Sequence, residues 1–480
     1  MSDFNAGDLF GRWRLIEVIG CGGNGDVWKV ENTESKAICA IKVLRECGQK
    51  LAYHRFKREI DILKRLGTHE GIIPMIDSHI EENSRKNRSW YVMPIAKPYL
   101  KEINERTVED IISDFKSLAN ILLSLHDRGV SHRDIKPANL LFLDGKLCFS
   151  DFGLVKVDGL DGITPETRDV GAKYTMAPEM RRTPRDADGK IADIYSLAKS
   201  LWISISKKEY SFDGQYDENT SLSLNNYVTD KFMAPLHEIL RKCTDHEPKN
   251  RITLSDFIEK LCLWEDINKD FSLRNKYEWE YITKKIFPLG PPSRVTWENP
   301  KQICEILNIS ASSSGLNHMF YPTGGGMTLL GAGLSPEPGM IELKISERMY
   351  SICKPKRLYF EIYEKDPQWN YFRLELEQIE SALGIEELLY KSEELTEYSP
   401  GKYTELNAWF ENEINGVPLS ESSRRVERFS GGSFVIFSTT SIYNKISETY
   451  DARHNKLSAD EFRKYIHKGA DHILMMGLGK

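Results

Sequence analysis

The stretch His132-Arg133-Asp134-Ile135-Lys136-Pro137-Ala138-Asn139 restricts what this chain can become more than any other feature, together with Leu140-Leu141-Phe142 behind it and Phe149-Ser150-Asp151-Phe152-Gly153-Leu154 further on. Asn139 follows Asp134 by five residues, and Asp151 follows Asn139 by twelve. Both segments, in that order and at that spacing, are too specific to be a chance match. They lie between two differently patterned regions. Ahead of them Trp13 to Ile19, Asp26 to Val30 and Ala37 to Val43 alternate as strands do, which predicts three antiparallel strands, with two short ones around Ile72 to Ile80 and Ser89 to Met93. Between these, Phe56, Ile60, Leu63 and Leu66 recur at helical spacing until Gly67 stops them. Helical patterning takes over at Val108 to Asp127 and again beyond residue 190, so a β-rich front leads into an α-rich body.

Two further features carry chemistry. The run Gly20-Cys21-Gly22-Gly23-Asn24-Gly25, with Val27 two residues on, frees backbone N–H groups to close over phosphate oxygens. By itself it is also compatible with an ordinary Gly-rich turn. A dinucleotide fold needs a helix directly after such a loop, whereas Val27-Trp28-Lys29-Val30 reads as a strand. Seventeen residues beyond Gly25, Ala40-Ile41-Lys42 places a lysine on a strand, and Glu59 stands on the helix that follows. A lysine there needs an anionic partner to hold its ammonium in place.

Taken together, these segments resemble the protein kinase superfamily in its eukaryotic-like serine/threonine branch, since Lys136 stands where that branch places its lysine. The resemblance runs from about Trp13 to Leu263 and implies an α+β, bilobal kinase fold with a β-rich N-lobe and an α-helical C-lobe. It implies that Asp134 accepts or orients a substrate hydroxyl, that Lys136 offsets charge on the transferred phosphoryl, and that Lys42 grips the inner phosphates of ATP with Glu59 as partner. Asn139 and Asp151 would hold Mg2+, a hard ion that prefers oxygen ligands. The ATP site would be lined by Gly20, Gly22, Gly25, Val27, Ala40, Lys42, Met93 and Ile95, with Trp90 to Ala96 as the hinge and Pro94 where an acidic residue is common. Met176-Ala177-Pro178-Glu179, Asp193-Ile194-Tyr195-Ser196-Leu197 and Pro248-Lys249-Asn250-Arg251 match structural landmarks of the family, with Glu179 and Arg251 as a buried ion pair and Asp193 on a buried helix. Arg133 implies activation by phosphorylation between Asp151 and Glu179, first at Thr167 and second at Thr164.

One departure is Ala172, where serine/threonine kinases usually carry a threonine; Thr175 likewise replaces a common tyrosine. A tyrosine or dual-specificity enzyme is therefore one alternative reading, and a pseudokinase scaffold is a second. The second of these is disfavoured because Lys42, Glu59, Asp134, Asn139 and Asp151 are all present.

At 480 residues the chain exceeds what a single hydrophobic core supports. Pro288-Leu289-Gly290-Pro291-Pro292 marks a break, giving a kinase domain over 1–263, a linker over 264–292 and a separate mixed α+β domain over 293–480. In that last part strand-like runs at Met340 to Ile345, Arg357 to Tyr363, Tyr371 to Leu376 and Ser433 to Ser438 alternate with helical runs at Ile379 to Tyr390 and Ser458 to Ile466. It resembles no family, and its expected role is regulatory or substrate-recruiting. The net charge of −6 divides into about −1 before residue 264 and about −5 after it, which argues against nucleic acid as a partner. Protein substrates are the expected partners. No run approaches the roughly 20 apolar residues that span a bilayer, so a cytoplasmic protein without membrane partners is expected. Kinases of this type with a compact extra domain occur in bacteria, some in stress or phage-defence systems, an inference by analogy alone.

Overall fold

The computed structural model describes residues 4–21, 25–45, 50–81, 88–157, 174–184, 186–313, 316–363, 369–384, 392–406, 413–414, 417–418, 423–437 and 456–476. The chain divides into two units, Met1–Asp266 and Ile267–Lys480.

In the first unit, six strands form one sheet: β1 (Leu9–Phe10), β2 (Trp13–Cys21), β3 (Gly25–Asn32), β4 (Ile38–Leu44), β5 (Asp77–His79) and β6 (Trp90–Met93), in the order β1-β2-β3-β4-β6-β5. Because successive strand residues point to opposite faces, the alternation in the sequence sorts them. One face buries Trp13, Leu15, Trp28, Val30, Ile41, Val43, Trp90 and Val92 together. The other presents a row across neighbouring strands, since Val27 pairs with Lys42 and Lys42 with Tyr91, while Ala40 pairs with Met93. Of the expected strand around Ile72 to Ile80 only Asp77–His79 forms; Ile72 instead makes an isolated bridge to Phe149.

The helix Lys50–Leu66 buries Phe56, Ile60, Leu63 and Leu66, the stripe its spacing predicts. The α-rich body follows. Thr107 caps the helix Val108–Asp127 by a reciprocal capping box with Asp110, and Gly189–Ser206 runs through the interior with nearly every residue buried. A continuous core joins Phe56, Ile60 and Leu63 to Phe149, Phe152, Leu197, Leu201, Phe257 and Trp264. No described helix is long and apolar enough to cross a membrane.

The second unit is mixed α+β. Its first sheet runs, in order, Arg294–Trp297, Pro355–Glu361, Tyr371–Leu376, Ser433–Phe437, His318–Phe320 and Gly326–Thr328. The other runs Gly331–Leu334, Ile341–Lys344, Met349–Cys353, Arg424–Phe429, Ser392–Ser399 and Lys402–Glu405, with one parallel pair, Met349–Cys353 beside Arg424–Phe429. Ile341, Leu343 and Phe429 of this second sheet share a core with Leu358, Phe360, Phe372, Leu374 and Ile436 of the first. Trp279 and Ile282, on the helix Phe271–Ile286, belong to that same core. The division falls at Asp266/Ile267, earlier than the Pro/Gly run, and the helices Leu254–Lys269 and Phe271–Ile286 cover most of the stretch between Leu263 and that run. The helical run expected from Ile379 is not helical over its described part: Ser381 and the Ala382 N–H both bond the Glu393 carboxylate, which holds the backbone in turns. The later helix is longer than its pattern predicts, Ala459–Met475, capped by Ser458 and Glu461.

Candidate functional site

Pairing in the first sheet brings the residues of the site to one face. Gly20 faces Val27, and Val27 faces Lys42. A side chain at Gly25 would place its Cβ 2.6 Å from the Val43 carbonyl oxygen, so this position must stay bare. Ala40 and Met93 form the adjacent row, and Ile95, just beyond β6, is exposed. Gly22 lies outside the described residues, as do Thr164, Thr167 and Ala172.

Lys42 is the hub. Its Nζ donates to both oxygens of Glu59, at 2.8 and 2.9 Å, and reaches Asp151 Oδ1 at 3.4 Å. Burial would lower the ammonium, but the charges of Asp151 and Glu59 outweigh it and hold its pKa well above the ordinary value. Lys42 is therefore a fixed cation. Glu59, 1% exposed, also accepts a hydrogen bond from the Tyr91 hydroxyl at 2.9 Å. Tyr91 escaped the sequence reading, although its place opposite Lys42 on a paired strand is the signal that finds it.

The second cluster forms on the loop between the helix Val108–Asp127 and the strand Leu140–Leu143. Lys136 Nζ lies 2.8 Å from Asp134 Oδ2. Asn139 Nδ2 donates to Asp134 Oδ2 and to its carbonyl oxygen, both at 2.9 Å. Asn139 in turn accepts the Ser150 N–H and hydroxyl on its own carbonyl, each at 2.9 Å, which ties it to the residue beside Asp151. Lys42 first, then Lys136 and His132, hold the Asp151 carboxyl below its usual range despite burial.

Two backbone conformations here are costly. Arg133 and Asp151 have φ of 66° and 60°, left-handed values that disfavour side chains. Arg133 is held there by Asp193, which is fully buried and accepts the backbone N–H of His132 at 2.7 Å and of Arg133 at 2.6 Å. His126 Nε2 lies 3.0 Å from the same carboxylate. His132 packs against Phe149 and Phe152, at centroid distances of 5.3 and 4.9 Å, and its Nε2 lies 3.1 Å from the Ser150 carbonyl oxygen.

Glu179 and Arg251 form a bidentate pair at 2.6 and 2.9 Å, with the guanidinium 0% exposed. It stacks over Tyr195 at 4.8 Å and donates to the Asp245 carbonyl at 3.0 Å.

These groups can hold an anion against a fixed cation while presenting a carboxylate to a neighbouring hydroxyl. Asp151 and Asn139 fit a hard divalent cation. The carboxylate is kept ionised, and the Asn139 NH2 is committed to Asp134, which leaves the amide oxygen as the free end. Two protein oxygens match the few-ligand habit of Mg2+, which completes its shell with waters and phosphate.

A family model described as the protein kinase domain matches residues 13–262, just over half of the chain. The chain is 30% identical over 273 residues to CBL-interacting serine/threonine-protein kinase 14 of Arabidopsis thaliana, covering 52% of this chain and 58% of that protein. It is 26% identical over 267 residues to serine/threonine-protein kinase D of Synechocystis sp., covering 51% and 50%. Against the solved PknI kinase domain of Mycobacterium tuberculosis the identity is 21% and the TM-score 0.42, covering 54% of this chain and 98% of that one. The chain spans about half the length of the curated relatives it matches.

Proposed function

Because this chain belongs to the protein kinase family, we propose that it transfers the γ-phosphoryl of ATP to serine or threonine hydroxyls of proteins. The observation that carries this reading is the Lys42 ammonium, held at once by Glu59 and within 3.4 Å of Asp151, a fixed cation beside an ionised carboxylate. A loose phosphoryl-transfer transition state asks for little else than positioning and charge neutralisation.

In this mechanism Lys42 holds the inner phosphates while Glu59 and Tyr91 fix the direction of its Nζ. Asp134 orients the attacking hydroxyl and receives its proton at the carboxylate, which Asn139 and Lys136 keep in place. Lys136, about one-quarter exposed, reaches from Asp134 toward charge on the transferred group. Asp151 and Asn139 would hold Mg2+, which when bound neutralises phosphate oxygens.

Phosphorylation at Thr167, or second at Thr164, is proposed to activate the enzyme. Its support is Arg133: burial lowers that guanidinium, with the charge of Asp193 opposing the fall and Arg58 of the helix Lys50–Leu66 adding to it. The second unit, with its own core, is proposed to recruit substrate or sense a signal.

The test is phosphate transfer from ATP by purified protein, followed by phosphoamino-acid analysis. Incorporation on Ser and Thr, absent in Asp134→Ala, is expected. Undiminished incorporation in Asp151→Ala removes the assignment, and phosphotyrosine alone reassigns the substrate class that Ala172 leaves open.

A further inference from the structure

The helix Gly189–Ser206 carries an amine through the interior. Lys199 is 1% exposed, and its Nζ donates to the carbonyl oxygens of Phe212 at 2.5 Å and Gly214 at 2.9 Å. The Phe212 ring centroid lies 3.5 Å away and that of Tyr195 5.2 Å. Among the described residues its hydrogen-bond partners are these carbonyls, not a carboxylate. A buried amine without a paired anion is an expensive choice, where an apolar side chain would serve the packing of Leu197, Leu201 and Trp202. Burial pushes its pKa down to about 7, with Asp213 opposing the fall and Arg181 adding to it.

What the amine supplies is a fixed geometry for the chain after the helix. Two hydrogen bonds and a ring contact tie residues 212–214 to the helix, and the Tyr195 hydroxyl adds a third bond to the Gly214 carbonyl at 3.1 Å. The Tyr216 N–H bonds Thr244 Oγ1 at 2.9 Å, closing the far side. At the outer end Tyr210 is 52% exposed and packs on Tyr174, with ring centroids 4.5 Å apart. Tyr174 leads directly into Met176-Ala177-Pro178-Glu179, the segment that Arg251 anchors.

We propose that Lys199 is a positioning residue for the protein substrate: by clamping 212–214 it sets Tyr210 against Tyr174 and so fixes Tyr174 to Pro178, the stretch on which this proposal places the substrate chain. This rests on the kinase reading above. The clamp acts through backbone carbonyls, which is why neither a motif nor a periodicity announces it.

The test uses the full chain as Lys199→Met, which keeps length and bulk, and as Tyr210→Ala, which leaves the core untouched. Each is assayed with Mg-ATP and a degenerate Ser/Thr peptide library, and by amide hydrogen exchange. Peptide KM is expected to rise about fivefold or more in both variants with kcat within about twofold, the pattern of lost binding. Exchange across 207–216 is expected to be about tenfold faster in Lys199→Met than in the parent protein. An unchanged peptide KM in Tyr210→Ala, or parental exchange in Lys199→Met, overturns the proposal. If the parent protein phosphorylates no acceptor at all, the kinase reading fails, while the exchange measurement still decides whether Lys199 holds the loop.

Discussion

Removing one partner of the Glu179–Arg251 pair tests how the helical body is held. The Arg251 guanidinium is wholly removed from solvent, bonded twice to Glu179, once to the Asp245 carbonyl, and stacked on Tyr195. Glu179→Ala leaves that cation with carbonyls and a ring as its remaining partners, and breaking such a pair from one side costs about 3 to 5 kcal/mol. For a unit of this size each kcal/mol lowers Tm by roughly 2–4 °C, so the expected fall is roughly 6–20 °C. Arg251→Met should fall in the same range. The double variant Glu179→Ala/Arg251→Met should recover part of the loss, because the penalty lies in the stranded charge more than in the missing attraction. Scanning calorimetry of the four proteins closes the cycle. Both single variants melting within about 1 °C of the parent would refute the reasoning, as would a double variant equal to the sum of the singles.

Lys42→Ala and Asp151→Ala should each reduce phosphate incorporation by more than about a hundredfold, measured with labelled ATP, since each removes a positioned charge. Peptide mapping of active enzyme should find phosphate on Thr167 or Thr164; full activity with none between residues 151 and 179 would end that idea. Lys199 gives a pH signature. Its folded pKa of about 7 lies below the unfolded value, so unfolding takes up a proton between about pH 7 and 10.5 and stability rises with pH across that window. The urea-derived stability of the parent protein should therefore gain on that of Lys199→Met by up to about 1.4 kcal/mol per pH unit there, and parallel profiles would exclude the effect.

The sequence and the structure agree best where chemistry and pattern coincide. Lys42 and Glu59 could be expected to meet because one stands on an alternating strand and the other on a helix whose apolar stripe fixes which way it turns. Glu179 and Arg251, 72 residues apart, were legible only through a resemblance, since no local pattern links them. Tyr91 was missed because strand register, not residue type, places it against Glu59. Lys199 was missed for a similar reason: its partners are carbonyl oxygens, which every residue has. Pro and Gly mark where a helix stops, whereas the division into units follows burial, and Trp279 and Ile282 are already in the second core before the Pro/Gly run begins. The Ile379 run carries helical spacing, but Glu393 offers its backbone and Ser381 a competing set of hydrogen bonds.

The carboxylate of Asp193 holds the backbone of His132 and Arg133 from some 60 residues further along the chain. During synthesis, then, the ribosome releases the Asp134 loop well before the group that can shape it exists. At about 5–20 residues per second that interval is roughly 3–12 seconds, and the partner of Glu179 arrives later still. A growing chain that already displays Lys42, Asp134 and Asp151 thus still lacks the group that shapes the Asp134 loop until Asp193 has followed it out of the exit tunnel.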